Sequence, residues 1–486
     1  MNKYFKNWLE ILPFIFVFIA SLYRPYDADL GWHLKYGEYF FKTGRILKEN
    51  TFSQEMRDYI WPNISWGYDV FAYGAYYLGG FLGLTLLAAL VITLTFFFFS
   101  KFAKLDYWDK AIIFPFLVFI QDPVNTISLR SQLFGMLLLG VMFYIIRLYE
   151  DGDKKKLFLL VPLFLVWVNI HGLYILGLAL FLIWAGLKVL IKFIEEGYKF
   201  KSVFEGVKFF AGVTVLILLA TLVNPFGYTI YIDAFAHISD PMVKSVMEYL
   251  PFSELSSLWW NQLTIGILFV FGVLFLAFTD GLKRNLPLLG VITVLYGLSF
   301  MVRRYAWNLY YLSLPLLKPI SEFFKPEGEK TAKRAATVII ILSILTALYI
   351  KQPFSQYRDM SWDMYCSYFN GCSKMGAQFL IDNNLTEGVF TIYNWGGYLI
   401  WNYPQIKPPV DGRMHLWRDS SGVSAFEEFY KIEQDLESIE DSKYNIAFVN
   451  PDKNVYERLI KLMEQGKWRR VYRDQYSSIF IRSERK

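Results

Sequence analysis

The feature that most limits what this chain can fold into is a series of apolar runs too long for the interior of a soluble domain. Leu82–Ser100, Leu173–Phe193 and Leu263–Phe278 approach or reach the roughly 20 residues that cross about 30 Å of hydrocarbon. A helix at the surface of a soluble domain carries one apolar stripe, whereas these runs are apolar on every face. Composition points the same way. The 486 residues are 55% hydrophobic and 19% charged, against about 45–50% and about 25% in ordinary soluble domains. The net charge of +6 is not gathered into a basic stripe interleaved with aromatics, so nucleic acid is not an expected partner. These observations define a polytopic α-helical membrane protein.

Spans are expected near 9–23, 78–100, 111–121, 131–149, 157–169, 172–194, 207–223, 262–279, 285–301, 305–317 and 335–351, about eleven in all. The basic start Met1–Trp8 leads straight into Leu9–Leu22 without a small-residue cleavage site, which reads as a retained first span. Lys and Arg set the orientation. With the N-terminus cytoplasmic, inner segments hold Lys3, Lys6, Lys101, Lys104, Lys110, Lys154–Lys156, Lys199, Lys201, Lys283, Arg284 and Lys325 to Arg334. Outer turns then hold only Arg130, Lys244, Arg303 and Arg304, as the positive-inside rule requires. The expected organisation is a membrane domain over 1–351, with outer loops 24–77 and 224–261, followed by an extracytoplasmic α/β domain over 352–486. In that tail, Val389–Tyr393 and Tyr444–Val449 read as strands. Ile406–Val410 reads as a short extended run, 424–440 and 453–466 as helical, and Trp468–Tyr472 with Ser478–Ile481 as a closing strand pair. The chain's two cysteines, Cys366 and Cys372, read equally as a small disulfide loop or as two thiols.

The densest cluster of chemistry-bearing residues is Arg24-Pro-Tyr-Asp27-Ala-Asp29-Leu-Gly-Trp32-His33, directly after the first span. Two carboxylates one residue apart can converge on a divalent cation or divide the work of base and electrostatic anchor. His33 falls four residues after Asp29 and would share its face on a helix. Asp29 reads equally as a helix N-cap. Arg130, Asn169, His171, Arg303 and Arg304 fall at other outer span ends. Each alone reads as a headgroup-level anchor. Together their arginines suit phosphate or diphosphate, which guanidinium binds through paired charge-assisted hydrogen bonds. Asp411-Gly412-Arg413 reads as a turn in which the acid caps or pairs with the arginine.

The order of these features resembles the GT-C superfamily of integral membrane glycosyltransferases, which includes oligosaccharyltransferases and protein O-mannosyltransferases. The resemblance rests on Asp27-Ala-Asp29, Gly31-Trp32-His33, Gly37-Glu38-Tyr39 and Thr43-Gly44-Arg45-Ile46. It is closest to bacterial and archaeal members mostly without assigned substrates, through Asn169 to Gly172, Asn224 to Gly227, Trp395-Gly396-Gly397-Tyr398 and Asp411-Gly412-Arg413. The chain has neither the Asp-Glu of the mannosyltransferases nor a Trp-Trp-Asp motif in its tail. The resemblance implies an enzyme of the plasma membrane that takes sugar from a polyprenyl-phosphate or -diphosphate donor and passes it to a glycan, lipid or protein acceptor at the extracytoplasmic face. Asp27 is then the first candidate for catalytic base or metal ligand and Asp29 the second, with Mg or Mn the candidate ion. His33 would position groups or relay a proton. Arg130, Arg303 and Arg304 would bind the donor phosphate, and Arg24, Asn169 and His171 would position substrate. A transporter or flippase of an amphiphile, or a non-catalytic membrane subunit, is the competing expectation.

Overall fold

The computed structural model describes residues 8–121, 129–198, 200–239, 249–251, 259–278, 282–353 and 360–483. Lys3, Lys6, Lys199 and Lys244 of the charge pattern, and much of 240–258, lie outside the described residues. In chain order the helices are α1 Leu12–Ala20, α2 Leu30–Thr43, α3 Trp66–Ala103, α4 Tyr107–Gln121, α5 Ser131–Glu150, α6 Leu160–Trp167, α7 Tyr174–Glu195, α8 Phe200–Thr221 and α9 Thr229–Ser239. They continue with α10 Trp259–Ala277, α11 Leu282–Met301, α12 Ala306–Leu312, α13 Leu314–Phe323, α14 Glu329–Lys351, α15 Lys374–Asp382, α16 Gly396–Asn402, α17 Ala425–Glu433 and α18 Asn454–Glu464. The strands are β1 Val389–Thr391, β2 Ile446–Val449, β3 Trp468–Arg473 and β4 Ser478–Arg482.

Each apolar stretch of the sequence is helical at its core. Five helices among the described residues are long and apolar enough to cross a membrane: α3, α5, α7, Val203–Thr221 within α8, and α14. The other stretches are shorter or interrupted, so about eleven crossings is not what helix length alone gives. The stretch 305–317 breaks at Ser313 into α12 and α13. Pro315 lies in the first turn of α13, where a missing N–H costs nothing and the next helix can start.

The chain divides into two compact units. The first contains Met1–Tyr23, Thr85–Tyr228 and Lys244–Pro353. Its interior is aromatic: Phe96 meets Phe114 at 4.8 Å and Tyr311 at 5.2 Å, edge to face, and Phe99 stacks on Tyr311 at 5.2 Å. Some of its buried polar groups pair near helix ends. Ser321 donates to Asp109 Oδ1 at 2.6 Å, and the Trp108 indole donates to the Ser321 carbonyl at 2.8 Å. α14 packs on α1 and α4.

The second unit joins Arg24–Leu84, Thr229–Val243 and Phe354–Lys486. The backbone of α3 leaves helical geometry at Gly79 and Gly80, near the point where the chain passes between the units. The tail holds a four-stranded sheet in the order β1-β2-β4-β3. β1 and β2 are parallel, while β4 is antiparallel to both β2 and β3. Ile406–Val410, expected as an extended run, adds no strand to that sheet. Pro408 and Pro409 have no N–H to give a ladder. Their carbonyls instead accept the N–H groups of Gln54 at 2.9 Å and Glu55 at 3.1 Å. Cys366 and Cys372 form a disulfide. A core of Trp32, Tyr36 and Ile400 binds α2 to α16, with Leu47, Phe52 and Trp61 against it.

Candidate functional site

The acidic pair sits where the chain turns into α2. Leu30 and Leu34 are fully buried and fix that helix by its apolar face. Asp29 stands at the N-cap position, yet its carboxylate does not cap the helix. Asp29 Oδ1 instead accepts the Trp32 indole N–H at 2.9 Å. Asp27 is buried. Its Oδ1 accepts the Asp29 N–H at 3.3 Å and its carbonyl accepts the Tyr365 hydroxyl. Both carboxylates are thus held by the local turn rather than absorbed into helix capping. Arg24 donates to the sulfur of Met364 at 3.8 Å.

His33 does not pair with Asp29, contrary to the spacing argument. Its Nδ1 lies 2.5 Å from Asp69 Oδ1, in the first turn of α3. The carboxylate can only accept when ionised, which sets the neutral imidazole tautomer with the proton on Nδ1. Asn63 donates to Asp69 Oδ2 at 2.7 Å, so both carboxylate oxygens are engaged. His33, Asp69 and Asn63 are all buried. Nothing local singles out Asp69 for this role, since an acid in a helix's first turn reads as a partner of the helix dipole.

The Asp411-Gly412-Arg413 turn resolves as an ion pair, and a completely buried one. Arg413 Nε donates to Asp411 Oδ1 at 2.7 Å and Nη2 to Oδ2 at 2.6 Å. Nη1 donates to the Tyr36 hydroxyl at 2.9 Å, and Nη2 also reaches Asn50 Oδ1 at 2.9 Å and Ser53 Oγ at 3.1 Å. The guanidinium carbon lies 5.2 Å from the ring centres of both Phe52 and Trp417. Burial works against the Asp411 carboxylate, but the adjacent guanidinium outweighs it and holds the group below its ordinary range. Burial pushes the Tyr36 phenol up to about 12 despite the same guanidinium. Tyr393 is raised well above its usual range, by burial first and then by the charges of Asp29, Asp411, Glu433 and Asp27. It therefore stays a neutral hydroxyl in the field of the acidic pair.

Arg130, Asn169, His171, Arg303 and Arg304 belong to the other unit. Arg304 Nη1 donates to the Tyr249 hydroxyl at 2.6 Å, and the Arg304 carbonyl accepts the Gln132 amide at 3.2 Å. Arg130 precedes α5 in extended conformation, half-buried. The Asn169 amide donates to the carbonyls of Leu165 at 2.8 Å and Val223 at 3.1 Å. His171 Nδ1 accepts the Leu173 N–H at 3.1 Å. Asn169 and His171 therefore tie down the turn between α6 and α7.

Among the described residues no three His, Cys, Asp or Glu side chains gather as a metal-holding group. Asp27 and Asp29 offer two carboxylates. That donor set suits Mg or Mn, which keep several waters and complete their shells with substrate phosphate oxygens.

The fold is similar to that in three solved structures of an archaeal oligosaccharyltransferase, AglB of Archaeoglobus fulgidus. The complex of that enzyme with an inhibitory peptide and a dolichol-phosphate matches with TM-score 0.54 and 11% identity, over 92% of this chain and 70% of that one. The form tethered to an acceptor peptide containing the NVT sequon matches with TM-score 0.58 and 10% identity, over 92% and 69%. The apo form gives TM-score 0.55 and 11% identity, over 92% and 70%. No protein-family model and no curated sequence matches the chain.

Proposed function

We propose that this protein is a membrane glycosyltransferase that moves a sugar from a polyprenyl-phosphate- or polyprenyl-diphosphate-linked donor to an acceptor outside the cell membrane. The observation that carries the reading is the acidic pair. Asp27 and Asp29 enter α2 without being consumed as helix caps, in a chain whose fold follows an oligosaccharyltransferase over 92% of its length. That neighbour was solved with a dolichol-phosphate and an inhibitory peptide, and separately with a tethered acceptor peptide. A lipid-linked donor is therefore the first substrate to try, and peptide is one acceptor among glycans and lipids.

In this reading Asp27 accepts the proton of the acceptor hydroxyl or amide as that atom attacks the anomeric carbon. Asp29, fixed by Trp32, orients the acceptor or shares a Mg or Mn ion with Asp27. Such an ion supplies charge neutralisation at the donor phosphate. Arg130, Arg303 and Arg304 bind the phosphate and stabilise the charge that develops on it as the sugar departs. His33, oriented by Asp69, relays or positions protons. Arg24, Asn169 and His171 position substrate.

The test is consumption of a polyprenyl-diphosphate-linked sugar by the full chain in nanodiscs, with a mixture of glycan, lipid and peptide acceptors. Turnover without gradient or partner protein, diminished by a chelator, is the expected result. Movement of intact donor across sealed vesicles without transfer would favour a flippase. Activity only with an added partner would favour a non-catalytic subunit.

A further inference from the structure

The two glycine-bearing tail motifs, Trp395-Gly396-Gly397 and Asp411-Gly412-Arg413, lie against the segment of the acidic pair: Gly397 meets its backbone and Gly412 meets the Asp29 carboxylate. A Cβ placed on Gly412 would lie 1.8 Å from Asp29 Oδ1 and 2.7 Å from Oδ2. A Cβ on Gly397 would lie 2.2 Å from the Ala28 carbonyl oxygen, and one on Gly31 would lie 1.7 Å from the Gly397 carbonyl oxygen. At Gly31 and Gly397 an added Cβ would run into backbone, and at Gly412 it would force the Asp29 carboxylate to move, because real Cβ atoms do not approach other heavy atoms so closely. The segment Ala28–Gly31 therefore rests in a seat made of bare tail backbone.

The seat is itself anchored. Arg413 and Asp411 lock the turn to Tyr36, Asn50 and Ser53, all drawn from the segment that follows Asp29. Gln54 adds bonds to the carbonyls of Val389 at 2.9 Å and Lys407 at 2.6 Å. Gly396 lies directly against Asp411, where an added Cβ would come to 2.9 Å from the Asp411 Cβ. One side of the Asp29 carboxylate meets Gly412, and its Oδ1 takes the Trp32 N–H.

We propose that Gly412 is a positioning residue for the Asp29 carboxylate, and that the buried Asp411–Arg413 pair exists to hold Gly412 in that place. The tail then is not an appended module: it completes the acidic site by fixing where one of its two carboxylates can stand. The functional half of this proposal rests on the transferase reading, but the seat can be tested without it.

The experiment is a double-mutant cycle on the full chain in nanodiscs, with Gly412→Ala, Asp29→Ala and the two combined. Thermal melting and consumption of polyprenyl-diphosphate-linked sugar are both read. If Gly412 seats Asp29, Gly412→Ala lowers the melting temperature, and most of that loss disappears when Asp29 is truncated, because the clashing carboxylate is gone. Turnover falls about 100-fold in Gly412→Ala with donor KM unchanged, as a displaced catalytic group predicts. Additive melting losses overturn the seat. Coupled melting with unchanged turnover overturns the positioning role. Coupled melting in a chain whose wild type consumes no donor overturns the transferase reading and upholds the seat.

Discussion

The interiors of the two units rest on different physics. In the first, α3, α4 and α12 meet through Phe96, Phe99, Phe114 and Tyr311. Buried polar side chains such as Ser321 and Asp109 pair there near helix ends. In the second, pieces more than 300 residues apart in sequence are fastened by charge: Arg413 alone reaches Tyr36, Asn50, Ser53 and Asp411. Apolar packing is the sum of many contacts and degrades gradually, since each lost contact is small. A buried ion pair is all or nothing, because one partner left behind is an uncompensated charge in a medium that cannot solvate it. The second unit should therefore fail sharply at single polar substitutions that the first would tolerate.

The sharpest break is Arg413→Met. It strands Asp411 in full burial and should cost about 3–5 kcal/mol. Removing both charges, as Asp411→Leu with Arg413→Met, should recover much of that loss, which melting of the three variants would show. The same pair sets an acid limb. Asp411 is depressed in the folded state, so its contribution is present above the ordinary carboxylate value of about 3.9 and is lost as pH falls below it through the folded value. In Arg413→Met burial outweighs the remaining hydrogen bonds to Asp411 from Ser53 and the N–H of residue 413, its folded value rises instead, and acidification should stabilise the variant. A pH series of melting curves checks the change of sign. The mildest effect is expected in the first unit: Ile340→Val in α14, at a fully buried position, should cost about 0.5–1.5 kcal/mol. A loss as large as that of Arg413→Met would erase the contrast between the units.

The first unit was largely legible in the sequence because hydropathy is a local signal. Every apolar run from Leu12 to Lys351 became helix at its core. The short helices hid the number of crossings, since α6, α12 and α13 fall well under the length of a span. The second unit was legible only in pieces. Asp27, Asp29 and His33 stood out through their clustering, but His33's partner Asp69 lies 36 residues away. Nothing local says that Arg413 will meet Tyr36, 377 residues distant. Ile406–Val410, read as an extended run, stays outside the sheet because Pro408 and Pro409 can only accept hydrogen bonds. Long-range polar pairing is set by tertiary folding, and sequence spacing carries almost no trace of it.

The measurement that tests the central claim most directly is the transfer rate of Asp27→Asn, purified as the full chain in nanodiscs and supplied with polyprenyl-diphosphate-linked sugar and acceptor. Asparagine keeps the shape and removes the charge, so melting should stay near that of the wild type. The account predicts that turnover falls by about 10²–10⁴-fold, the usual contribution of a positioned general base. Wild-type turnover in a folded Asp27→Asn protein would contradict it.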